Sequence, residues 1–219
     1  DATLGAIVLT GAGAHFCAGG NVSRLAANRH RPQQIQREGI DRFHRWVQAL
    51  RRCPLPIIAA VEGSAAGAGF SLALACDLIV AAEGARFSMA YVRIGLSPDG
   101  GGSAFLGRLL PRQLAAELLL TGTPVDAHRL QALGVVSRVV ANGTALDEAL
   151  SLGHTLARGP RRAQAHIKAL LDSAPTTALD DQLAPEREHF IENLFGADAG
   201  EGVEAFRQRR APQFNRSPL

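Results

Sequence analysis

The stretch Ile57-Ile58-Ala59-Ala60-Val61-Glu62-Gly63-Ser64-Ala65-Ala66-Gly67-Ala68-Gly69-Phe70-Ser71-Leu72-Ala73-Leu74-Ala75, followed after Cys76-Asp77 by Leu78-Ile79-Val80-Ala81-Ala82, decides the fold. Two short apolar runs rich in β-branched residues read as buried strands. Between them the glycine-rich turn Gly63–Gly69 leads into a helix of small residues that reaches Ala75. Strand, helix, strand in this order predicts a βαβ unit and a mostly parallel sheet.

The same alternation extends upstream. Gly5–Thr10 is a further apolar run, closed by Gly11-Ala12-Gly13, and a polar, Arg-rich stretch follows from Asn28 to Pro32. From Gln33 to Arg52 the residues Ile35, Ile40, Phe43, Trp46, Val47 and Leu50 recur at spacings near three and four with arginines between them, which predicts an amphipathic helix. Pro54 and Pro56 end it. After Gly95 strand signals nearly cease: Ser103–Leu110, Gln113–Leu120 and Asp126–Leu133 read as helices, Val135–Val140 as a lone strand. Helical periods then run from Ala145 to Arg210, broken at Gly159-Pro160 and Pro175, with Leu183, Phe190, Leu194 and Phe195 as the best apolar stripe. The expected architecture is α/β, with a core over residues 1–140 and a helical C-terminal region over residues 141–219.

Composition bounds the function. The chain has 219 residues, 47% of them hydrophobic, and a net charge of +3 that points to no particular partner. The uncharged apolar stretches Cys53–Val61 and Gly63–Cys76 are both short of the roughly 18 apolar residues of a membrane span, so no membrane association is expected. Asp1-Ala2-Thr3 shows no basic segment leading into an apolar run, and no secretory signal is expected in this chain. Three widely spaced cysteines, Cys17, Cys53 and Cys76, make neither a disulfide framework nor a zinc site; a cytoplasmic location follows. Arg29–Arg31 and Arg207–Arg210 are too short for a nucleic-acid face. With 23 glycines and one tyrosine, clustered glycine is the informative feature, because it shapes backbone for close contact.

Both glycine-rich turns fail the dinucleotide pattern: Gly11-Ala12-Gly13-Ala14-His15-Phe16 has Phe, and Gly67-Ala68-Gly69-Phe70-Ser71-Leu72 has Leu, where the third glycine belongs. Free backbone N–H groups at a helix start remain, suited to a phosphate or to the oxyanion of a carbonyl; close helix–sheet packing accounts for the same glycines. Gly69-Phe70-Ser71-Leu72-Ala73 approaches a nucleophile elbow but lacks its final glycine. A triad would need one of His128, His154, His166 or His189, each in helical sequence. His15-Phe16-Cys17 has no partners that complete a metal site, and none is expected.

Taken together, several motifs resemble the crotonase, or enoyl-CoA hydratase/isomerase, superfamily. Val8-Leu9-Thr10-Gly11-Ala12-Gly13 running into His15-Phe16-Cys17-Ala18-Gly19-Gly20-Asn21 resembles its first oxyanion loop. Ala66-Gly67-Ala68-Gly69 with Leu72–Ala75 resembles the second, and Gly95-Leu96-Ser97-Pro98-Asp99-Gly100-Gly101-Gly102 and Ala132-Leu133-Gly134-Val135-Val136 continue in order. The resemblance implies a spiral of ββα units with a helical C-terminal trimerisation region, giving a homotrimer or a dimer of trimers. It also implies an acyl-CoA substrate, with coenzyme A entering as part of that substrate and no tightly bound cofactor. The thioester oxygen would be held by the backbone amides of Gly20 and Ala68. Ala18, Gly19, Gly67, Gly100 and Gly101 would line the substrate. Relative to the family the N-terminus looks truncated by its first strands, and Arg207, Arg209 and Arg210 read as solvated charge within reach of CoA phosphates.

The departure is chemical. Hydratases of the family use two glutamates to position and split water; in register those positions are Ser71 and Tyr91. Both would instead shape the acyl pocket. Asp99 in Pro98-Asp99-Gly100-Gly101 stands where several family isomerases carry a working carboxylate, and is expected to be general base and acid; an N-cap of the helix near Ser103 is its bland alternative. The pattern is nearest the isomerase and ring-opening hydrolase branches linked to phenylacetyl-CoA breakdown. Double-bond isomerisation is the leading expectation. Hydration or ring-opening hydrolysis without two glutamates, and an inactive acyl-CoA-binding relative, are the alternatives.

Overall fold

The computed structural model describes residues 4–215. Its elements in chain order are β1 (Ile7–Thr10), α1 (Val22–Asn28), α2 (Gln33–Arg52), β2 (Ile57–Val61), β3 (Ser64–Ala66), α3 (Ala68–Ala75), β4 (Leu78–Ala82) and β5 (Arg86–Ser88). A 3₁₀ turn at Ala90–Ile94 follows, then α4 (Gly102–Leu109), α5 (Arg112–Thr121), β6 (Val125–Asp126), α6 (Ala127–Ala132) and β7 (Arg138–Val140). Helices α7 (Ala145–Ala157), α8 (Arg161–Ser173), α9 (Leu179–Leu194) and α10 (Ala197–Arg207) complete it. The α/β expectation holds.

Strands β1, β2, β4 and β7 form one sheet in that order. The β2–β4 and β4–β7 pairs are parallel, with Ala59 opposite Ile79 and Ala81 opposite Val139. Every residue of β2 is buried, as an inner parallel strand covered on both faces requires. A second sheet, β3-β5-β6, lies in register Ala65–Phe87 and Phe87–Val125, with the Phe70 and Phe87 rings tilted against each other at 5.2 Å. Burying each Ile, Val or Phe side chain here stabilises the fold by about 1.5–3 kcal/mol.

Two compact units emerge. One comprises Val8–Arg51 and Ile57–Leu150; the other gathers the described chain up to Ile7, Arg52–Pro56 and the chain from Ser151 on. In the second, the buried Lys168 donates to the Leu55 carbonyl at 3.2 Å. Gln182, the buried residue of α9, ties that helix to α8 by donating to the Leu170 carbonyl at 3.0 Å.

The structure departs from the sequence reading in its small elements. Residues 22–28 are helical because Asn21 caps them, its side chain accepting from the Arg24 amide at 2.9 Å. Ser64–Ala66 is a strand inside what reads as turn, pairing with β5. Val135 and Val136 are not strand: both amides donate to the Leu130 carbonyl, at 2.8 and 3.2 Å, which folds them back on the end of α6. In α2 only Val47 is buried, while Ile35 and Trp46 of the expected apolar stripe stay exposed. Glu62 accepts from the Ala145 amide at 3.0 Å and so caps α7 from 83 residues away. No helix of the described residues is long and apolar enough to cross a membrane.

Candidate active site

The first glycine-rich loop is stitched to β3. The Cys17 amide donates to the Ser64 carbonyl at 3.1 Å, and the Ala66 amide to the Cys17 carbonyl at 2.9 Å, so Cys17 pairs with Ala65 as one more parallel rung. His15 serves the same seam, its Nδ1 accepting from the Ser64 amide at 3.1 Å. Gly69 lets the loop close on α3: a Cβ there would sit 2.7 Å from Cys17 Cβ and 2.8 Å from its carbonyl carbon. At Gly19, with φ +94°, a Cβ would stand 2.7 Å from the Ala66 oxygen and 3.6 Å from the Ala68 nitrogen. Gly19 is therefore brought beside the start of α3, and its chain neighbours Ala18 and Gly20 are exposed.

Helix α3 begins without a side-chain cap. Gly67 occupies the N-cap at φ 52°, ψ −120°, a conformation that suits glycine alone; its amide is spent on Ser88 O at 2.8 Å. Among the described residues nothing accepts from the Ala68 amide, the first of the helix. An uncapped first turn presents N–H groups and the positive end of the helix dipole to whatever lies in front.

Asp99 lies in the irregular segment between Gly95 and Gly101, both of which have left-handed backbone. It does not cap α4: the N-cap is Gly101, with no side-chain cap bond. The carboxylate instead accepts from the Tyr91 hydroxyl at 2.8 Å on Oδ1, and none of the described residues donates to Oδ2. Tyr91 faces α3, its ring 3.7 Å from where a Cβ of Gly67 would stand. Ser71, fully buried on α3, sits on the same side: Cβ atoms at Gly100 and Gly102 would fall 3.0 Å from Ser71 Cβ and 2.9 Å from its Oγ.

Burial pushes the Tyr91 phenol well above its ordinary range. The neighbouring Ser71 hydroxyl opposes that shift, and the hydrogen bond to Asp99 and its charge add to it. Tyr91 therefore stays protonated and donating. Ser71 Oγ approaches the phenol but makes no hydrogen bond of good geometry among the described residues, an unusual state for a buried hydroxyl. A base for a Ser71 nucleophile is not at hand among the groups that contact it.

Three glycine clusters thus meet: Gly19 at Ala68, Gly67 at Tyr91, and Gly100 at Ser71. Two contacts escape sequence reasoning. His44 of α2 bonds the Asp99 carbonyl through Nε2, and the Phe43 ring fills the space a side chain at Gly100 would need. Their positions in a regular amphipathic repeat hide them. Elsewhere, His166, His189 and Glu192 bring ligand-type atoms within 4.8 Å of one another. The imidazoles, however, are stacked at 4.0 Å and 17° rather than converging, and Arg162 shares Glu192 at 3.6 Å.

The site thus combines an uncapped helix start, a glycine loop beside it and one half-buried carboxylate held by a phenol. The chain matches the family model for enoyl-CoA hydratase/isomerase over residues 1–217. The 1,2-epoxyphenylacetyl-CoA isomerase of Escherichia coli strain K12 is 39% identical over 217 residues, covering 98% of this chain and 82% of its own. The 2,3-dehydroadipyl-CoA hydratase of the same organism is 35% identical, covering 98% and 82%. A crystal structure of an enoyl-CoA hydratase from Polaromonas sp. JS666 is 51% identical with a TM-score of 0.95, covering 96% of this chain and 82% of that one. The protein belongs to the enoyl-CoA hydratase/isomerase family of the crotonase superfamily, and is an acyl-CoA enzyme.

Proposed function

We propose that this enzyme moves a double bond within an acyl-CoA thioester, using Asp99 as the single proton carrier. The observation that carries the reading is the Tyr91 to Asp99 hydrogen bond of 2.8 Å. It occupies Oδ1 and leaves Oδ2 to work, while Ser71 and Tyr91 supply no second carboxylate. The thioester oxygen rests against the amides of Gly20 and Ala68. Asp99 Oδ2 takes a proton from a carbon of the acyl chain, and the electron pair moves into the carbonyl to give an enolate oxyanion. The protonated carboxyl then returns the proton to a different carbon and the double bond shifts, with no atom gained or lost. Each amide donor to the oxyanion contributes about 3 kcal/mol of barrier lowering, and the positioned carboxylate about 10²–10⁴ in rate.

Ala18, Gly19, Gly67, Gly100 and Gly101 line the thioester and acyl group, and coenzyme A enters as part of the substrate with no tightly bound cofactor. The exposed stripe Leu179, Leu183, Phe190 and Leu194 on α9 is the face on which copies of the chain associate into a trimer. Cys17, Cys53 and Cys76 as thiols rather than disulfides fit a cytoplasmic setting.

Incubation with a 3-enoyl-CoA in deuterated water is expected to give the 2-enoyl isomer with the substrate's own proton moved, little solvent deuterium and no added water. Asp99→Asn is expected to lower that turnover by about 10²–10⁴ with acyl-CoA binding retained. Rapid addition of water to crotonyl-CoA, or full turnover in Asp99→Asn, would overturn the proposal.

A further inference from the structure

The working carboxylate sits on a segment with no secondary structure of its own, between two left-handed glycines and outside the cap of α4. Its side chain is fixed by Tyr91, but that bond orients only the carboxylate. The backbone beneath it is gripped from α2 by two consecutive residues. His44 Nε2 bonds the Asp99 carbonyl, and the Phe43 ring lies where a side chain at Gly100 would be, leaving no room for one. A carbonyl oxygen only accepts, so the bond assigns the His44 hydrogen to Nε2.

We propose that His44 is a positioning residue for the reaction: by holding the Asp99 carbonyl to α2 it sets the height of the carboxylate against the acyl carbons. This rests on Asp99 being the proton carrier. Helix α2 spans 20 residues, about 30 Å of rigid rod, so a single hydrogen bond to it transfers helix-like definition to an otherwise irregular loop. His44 is itself exposed and fills no core space. Its contribution therefore lies in this bond and not in packing. Misplacement of a reacting group by about 1 Å costs on the order of 10²-fold in rate.

Four measurements on the full chain test this. His44→Ala is expected to lower kcat for the 3-enoyl-CoA by about 10- to 100-fold while KM and the melting temperature hold. His44→Gln, whose amide can donate from a similar reach, is expected to recover part of the loss. Amide hydrogen exchange over residues 95–101 is expected to quicken in His44→Ala and to slow again in His44→Gln. In an Asp99→Asn background His44→Ala is expected to add nothing, since it acts through Asp99. Additive losses in that double variant, or loop exchange unchanged in His44→Ala, would overturn the positioning role. Full turnover in Asp99→Asn alone would instead remove Asp99 as proton carrier, while the exchange result would still show whether His44 holds the loop.

Discussion

Helix α3 has eight residues and buries seven of them; α9 has sixteen and buries only Gln182. In α3 the residues are small or apolar all round, the ends are set by glycine and cysteine, and neighbours press from every side. In α9 the apolar residues Leu179, Leu183, Phe190 and Leu194 fall on one face by their spacing, and Phe190 is 67% exposed. Pro185 inside the helix removes one hydrogen bond from its ladder. The contrast separates two environments on one chain: α3 is enclosed by atoms of its own unit, whereas the stripe on α9 is left exposed among the described residues.

The largest effect that can break this contrast is a single methyl group. Gly69→Ala in α3 is expected to cost about 3 kcal/mol through collision with Cys17, lowering the melting temperature by about 6–12 °C. The same change at Gly200 of α10, where nothing lies within 4 Å, is expected to leave it level or raise it slightly. Equal effects at both sites would erase the distinction.

Next in size is Phe190→Asp. Burial of a phenylalanine between copies is worth about 1.5–3 kcal/mol, so this variant is expected to shift the enzyme by light scattering from the proposed trimer toward monomer while its circular dichroism is kept. An unchanged mass would detach the α9 stripe from association.

The smallest effect sharpens the α3 side. Tyr91 is the only tyrosine in the chain, so phenolate absorbance reports it alone. Its raised pKa means that above about pH 10 the unfolded chain loses a proton that the folded chain keeps, and stability falls as pH rises from there. The folded enzyme is expected to show no phenolate at pH 10, and Tyr91→Phe to flatten the alkaline decline in melting temperature. Phenolate at the ordinary pH would mean that the space around Ser71 is as wet as the face of α9.

Much of this was legible in the residues. The strands Ile57–Val61 and Leu78–Ala82 and the helix Gln33–Arg52 have the bounds their periodicity predicts, because each is a continuous apolar run or a regular amphipathic repeat. The short strands β3 and β5 were not, since three residues carry no period, and their pairing comes from distant partners. In the site, the two glycine loops stand out by composition, and Asp99 stands out through the family resemblance of Pro98-Asp99-Gly100-Gly101. The Tyr91 to Asp99 bond is eight residues apart across a 3₁₀ turn and an irregular loop, and His44 reaches Asp99 over 55 residues. Neither separation corresponds to a local repeat, so no spacing rule could reveal them.

The rung made by Cys17 on β3 has a consequence for how such a site can change over evolutionary time. The amides of Gly20 and Ala68 hang three residues beyond Cys17 and Ala65, the two members of one rung. Sliding either chain by one residue would move its amide by about 3.3 Å and turn every side chain to the opposite face. The gap between them is thus quantised and cannot drift by small steps. The elements that the ladder does not clamp, the exposed face of α2 and the loop from Gly95 to Gly101, can vary in small steps while the two amides keep their spacing as a common gauge.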